Sequence, residues 1–104
     1  MAKSEIFAGI CGFYTQVEAK MDGDLVNFNI QSECPGIQQL ALELTQVNPY
    51  KEISSRRAVP LTLQAGLKHC THAACPVPVG IIKAMEVEAG LALPMDVSIK
   101  VSKE

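Results

Sequence analysis

The chain predicts an α+β fold: a two-layer sandwich whose small, mostly antiparallel sheet carries two main helices on one face. Three observations lead there. An alternating hairpin occupies the first third, two apolar stripes of helical period follow, and a last alternating segment lies near the end. With 104 residues, 48% of them hydrophobic, there is material for a single domain over residues 1–104 with one core.

Residues 6–21 alternate as a first strand, placing Phe7, Cys11, Phe13, Val17 and Ala19 on one side. Gly9 and Gly12 interrupt it, which suggests a bulge or a close backbone approach beside Cys11. Asp22-Gly23-Asp24 is a hairpin turn signal, and the return strand, Leu25 to Ser32, points Val26, Phe28 and Ile30 inward. Ile37, Leu40, Ala41, Leu44 and Val47 then follow helical spacing. Pro35 suits the first helical position, so Cys34 is the expected N-cap, and Asn48-Pro49 ends the helix. A polar connector is expected over residues 50–59, with a short helix from Pro60 to Leu67 that stops at Gly66. Lys68 to Ala74 read as a loop. A second long helix runs from Pro76 or Pro78 to Ala89, with Glu86 and Glu88 on its solvated face and Gly90 as its cap. Asp96 to Val101 alternate as a closing strand, with Val97, Ile99 and Val101 inward.

Composition narrows the function. Trp is absent and the net charge is −2, so neither a stacking platform nor a basic surface suited to nucleic acid is expected. Lys51, Arg56 and Arg57 make the one dense basic group. No apolar run reaches the ~18–20 residues of a membrane span, and Ile6 to Ile10 is too short for a secretory core. The expectation is a cytoplasmic protein without a membrane partner. In that reducing compartment, four cysteines in a small domain point to metal or redox chemistry rather than disulfides.

Those cysteines have a pattern. Cys34-Pro35 and Cys75-Pro76 each place a thiol at a helix start, where free N–H groups and the helix dipole favour the thiolate. Cys70, His72 and Cys75 fall within six residues at ligand-like spacing. The expected site therefore gathers Cys11 from the sheet, Cys34 and Cys75 from the helix starts, and Cys70 or His72 from the loop. It would hold an iron–sulfur cluster or zinc, since four thiolates suit either and zinc also accepts histidine. None of the ferredoxin ligand spacings is present. Taken alone, Cys11 reads as a core residue before a ligand, while Cys34 also fits a simple helix cap, and His69 and His72 solvated loop residues.

Cys75-Pro76-Val77-Pro78, followed by Ile81-Ile82-Lys83-Ala84, resembles the CPxP motif of the TusA-like sulfur-carrier family. The likeness covers the segment from Ala74 to the expected last strand and implies a persulfide carried on Cys75. In that family the motif follows the first strand, whereas here it lies in the last third of the chain. The chain as a whole resembles short proteins of anaerobic prokaryotes, which implies no particular activity. Gly-rich phosphate loops, a Ser-His-Asp pattern and paired carboxylates are all missing, so no catalytic set is expected. The expected partners are a protein or a donor of sulfur or electrons. A non-catalytic interaction module, dimeric through the open sheet edge of the last strand, is the third reading.

Overall fold

The computed structural model describes all residues from Met1 to Glu104. Its elements, in chain order, are β1 (Ala2–Phe7), β2 (Tyr14–Asp22), β3 (Leu25–Ser32), α1 (Pro35–Glu43), β4 (Gln46–Val47), α2 (Pro49–Glu52), α3 (Leu61–His69) and α4 (Val77–Glu88). The sheet is antiparallel throughout, in the order β1-β2-β3-β4. The helices form the second layer, as the α+β pattern requires. α4 packs on β1 and β2, α1 on β3, and α3 against both helices.

The hairpin expected around Gly23 forms between β2 and β3, with Asp22 opposite Leu25 and Thr15 opposite Ser32. Gly23 takes φ +63°, the left-handed region that glycine enters without steric cost. Val17, Ala19 and Val26 are fully buried beneath the helices, while Gln31, Asn27, Asn29 and Lys20 face outward. Pleat alternation thus separates core from surface as the pattern implied.

The long first strand is not continuous. Residues 8–13 turn the chain back, so that β1 and β2 pair as a hairpin of their own, Ala2 opposite Ala19 and Phe7 opposite Tyr14. Gly9 (φ +91°) and Gly12 (φ +74°) make the reversal, closed by hydrogen bonds from Gly12 N to Gly9 O (2.8 Å) and Ala8 N to Phe13 O (3.1 Å). Cys11 is therefore not an inward strand residue; it is exposed at the tip of this turn.

The first helix ends at Glu43, earlier than its apolar stripe suggests. Val47 is buried by a different route, pairing with Val26 at the end of the sheet. Asn48 then caps α2, its side chain accepting from Tyr50 N at 3.0 Å. The connector is accordingly part helical, and its Glu52 is only 2% exposed. The Glu52 carboxylate accepts from Leu61 N (2.9 Å), Thr62 N (2.9 Å) and Thr62 Oγ1 (2.6 Å). It caps α3 from another element, because Pro60 at the N-cap has no side chain able to do so.

α3 runs through Gly66 to His69, carrying Lys68 and His69 out of the expected loop. Gly66 is there for contact: a β-carbon on it would stand 2.7 Å from Pro78 Cγ, so α3 and α4 approach closely at this point. α4 matches its expected span, with Gly90 at φ +74° just beyond it. Glu88 does not belong to a solvated face, since its carboxylate accepts from Met21 N at 2.9 Å and ties α4 to β2.

The closing strand does not form. Every residue from Gly90 to Glu104 is exposed, and no backbone group from Leu93 onward hydrogen-bonds to the protein. Its alternation is real, but the one-sided pattern needs a ladder partner, and within this chain it has none.

Candidate functional site

The thiols are brought together by helix ends. Cys34 is the N-cap of α1, with extended backbone (φ −80°, ψ 122°), and its N–H is held by Ser32 Oγ at 3.1 Å. Cys70 is the C-cap of α3, its N–H donating to Gly66 O at 2.9 Å. Cys75 sits one residue before Pro76, the N-cap of α4. A tight turn, Cys75 N to His72 O at 3.2 Å, folds the 70–75 segment back so that Cys75 returns towards Cys70.

Gly36 lets these ends meet. A β-carbon there would lie 2.6 Å from the carbonyl oxygen of His69, so only glycine allows the first turn of α1 against the last turn of α3. That contact brings the start of α1, with Cys34, up to the end of α3, where Cys70 follows.

Around these ends lies a cleft of about 380 Å³, and all four cysteines line it, with Cys11 contributed by the β1–β2 turn. The rest of the lining is largely apolar, including Phe13, Ile37 and Val77. Thr15 is there too, buried and hydrogen-bonded to Ser32 Oγ at 2.7 Å. Cys34, Cys70 and Cys75 are partly buried, whereas Cys11 is exposed. The predicted ligand cysteines therefore share one site, although Cys11 reaches it from a turn and not from the sheet.

His72 also lines the cleft but is exposed on its rim. His69, set aside on sequence grounds, lines it as well and is better held: its Nε2 lies 2.7 Å from a Glu43 carboxylate oxygen. Lys68 Nζ donates to the other Glu43 oxygen at 3.0 Å, and the two bonds hold the Glu43 carboxyl below its usual range. The signal for His69 was the helical register of Lys68 and His69, which the glycine at 66 obscured.

The electrostatics divide the thiols. Burial first, then the nearby Cys75 and Cys34 sulfurs, push the Cys70 thiol up to about 12. It is a neutral thiol at neutral pH, set at the negative end of α3. The other partly buried pair stand at the N-terminal ends of α1 and α4. Neither helix has a side-chain cap or an acidic residue in its first turn, so both positive ends face the cleft without internal compensation. No three cysteine, histidine or carboxylate side chains converge on one point as the ligands of a single ion would. All four thiols line the cleft, with Cys70 near Cys75 and Cys34.

The sequence model of DUF6951, a family of unknown function, matches residues 2–101. The chain belongs to DUF6951. The match spans both hairpins, all four helices, every cysteine of the cleft and the alternating tail segment. Comparison with curated proteins and with solved structures finds no match to the chain. No helix is long and apolar enough to cross a membrane.

Proposed function

We propose that the cleft binds an iron–sulfur cluster through Cys11, Cys34, Cys70 and Cys75, in a small cytoplasmic protein that works with a protein partner or an electron donor. The observation that carries this reading is that four thiols from four separate segments line one cleft. Four cysteine ligands are the usual set for two- and four-iron clusters. In a four-iron cluster each thiolate binds a different iron, and in a two-iron cluster two thiolates share each iron, so in neither do all four sulfurs meet on one ion. A cleft of about 380 Å³ without a single-ion focus suits that arrangement better than mononuclear zinc. The uncapped starts of α1 and α4 favour an anionic guest, and the apolar lining keeps water from its sulfurs. Loading takes the proton from Cys70, so uptake is easier as pH rises. His72, the alternative to Cys70, is a rim residue and is not needed as a ligand.

The second reading keeps Cys75 as a persulfide carrier, and the turn that exposes the 71–74 segment beside the CPxP helix start favours it. One experiment separates the readings. The chain is incubated anaerobically with ferrous iron and sulfide, with zinc alone, or with a cysteine desulfurase and cysteine, then analysed for metal, sulfide and added mass. The cluster reading expects iron and sulfide together, lost in Cys34→Ser and Cys75→Ser and kept in His72→Ala. Zinc without iron uptake replaces the cluster with a mononuclear site. Added sulfur on Cys75 alone, with neither metal bound, replaces it with the carrier.

A further inference from the structure

We propose that Asp96–Val101 is an exchanged strand, which pairs with β1 of a second copy of this chain to form a symmetric dimer. The inference does not depend on the cysteine site. Two unpaired elements of the same molecule carry it. β1 is the edge of the sheet, bonded on one side to β2 and open on the other. The 96–101 segment has the period-two pattern of a half-buried strand, yet Val97, Ile99 and Val101 are 59%, 77% and 90% exposed. None of its backbone groups is hydrogen-bonded. An alternating apolar strand with a free ladder and an open edge are each other's missing halves.

The two elements also match in length, since β1 has six residues and so does 96–101. They are not joined within one chain. Pro94 to Val97 pass along a groove of about 740 Å³ between β1 and α4, and the chain then leaves it without bonding to the edge. The shape agrees: the molecule measures 47 × 27 × 27 Å, long in one direction. Reciprocal exchange satisfies both copies at once. Each tail lies on the other's β1, so the contact is closed by a two-fold axis and covers the β1 edge of both copies. The groove beside β1 is mixed in charge, with Lys3, Glu5, Lys83 and Asp96, so two copies meet there without net repulsion.

The test is the mass of the full chain by light scattering, in a thiol reductant to exclude disulfide links, beside a chain ended after Ala92. Truncation removes no helix, strand or core residue, and an unchanged far-UV circular dichroism spectrum checks its fold. A second variant, Ile99→Asp, keeps the tail and charges its apolar face. The expected result is twice the single-chain mass for the full chain, one chain mass after truncation, and a dimer weakened at least tenfold by Ile99→Asp. Hydrogen exchange at β1 amides should slow in the full chain relative to the truncated one. A full chain that stays monomeric as its concentration is raised about 100-fold from the micromolar range overturns the proposal. So does a dimer that survives truncation.

Discussion

Replacing Gly36 by alanine tests how the site is assembled. The added β-carbon would stand 2.6 Å from the His69 carbonyl oxygen, a backbone atom that cannot rotate away. Either the start of α1 or the end of α3 must move by several tenths of an ångström, against the packing of Ile37 and Leu40, which are 1% and 0% exposed. Overpacking of this kind costs about 1–3 kcal/mol. Alanine returns at most ~1 kcal/mol through its helix propensity, and less in a first turn than mid-helix. The net expectation is a loss of about 1–2 kcal/mol, or roughly 5–12 °C in Tm for a domain of this size. Urea unfolding followed by circular dichroism measures it, with an unchanged slope showing that the unfolded state is the same. Since the same contact brings the start of α1, with Cys34, up to the end of α3, where Cys70 follows, iron uptake should fall in the same variant under conditions where it remains folded. A Gly36→Ala chain as stable as the parent, or more so, would refute the close approach and the site geometry built on it.

Other expectations follow from single side chains. Glu52→Ala leaves the N–H groups of Leu61 and Thr62 without their acceptor, at about 1–3 kcal/mol per buried group, while Glu52→Gln keeps an acceptor oxygen and should cost clearly less. Urea midpoints compare the two, and equal losses would contradict the capping role. The metal-free protein should lose stability as pH rises from the ordinary thiol range of about 8.5 towards about 12, because unfolded Cys70 releases its proton before folded Cys70 does. A Cys70→Ser chain should lose that part of the alkaline slope, and an unchanged slope would count against the raised thiol. Alkylation at pH 8 followed by mass spectrometry should label exposed Cys11 first and Cys70 last. Equal rates at the two residues would contradict the difference in their surroundings.

Much of the fold was legible because local chemistry and tertiary structure agree. The Gly23 hairpin, the Cys34 cap, the proline-started helices and the Gly90 stop all rest on signals within a few residues. The departures come where one pattern admits two outcomes. Period-two alternation through residues 6–21 is the same in one long strand as in two strands joined by a turn, and only the left-handed glycines at 9 and 12 decide. Val47 satisfied a helical stripe in sequence and a sheet position in space. Glu52 serves residues nine and ten positions ahead of it, a pairing that no short-range spacing reveals. The tail at 96–101 has a strand's pattern, but pattern does not supply a partner.

For the site, the cysteines were legible as a group because Cys-Pro marks two helix starts. Why they meet was not, since it depends on Gly36 against His69 and Gly66 against Pro78, contacts between residues 33 and 12 positions apart. His69 was passed over for the same reason. Its place at the cleft follows from a helix that runs through a glycine rather than stopping there.

The central claim, that four cysteines of one cleft hold a cluster, is tested most directly on protein purified without oxygen. The measurement is iron and inorganic sulfide per chain, taken with the visible spectrum. The account predicts a coloured protein with iron and sulfide in equal amounts, both absent when Cys34 and Cys75 are replaced by serine. A colourless chain that carries neither, and takes up neither on anaerobic reconstitution, would contradict it.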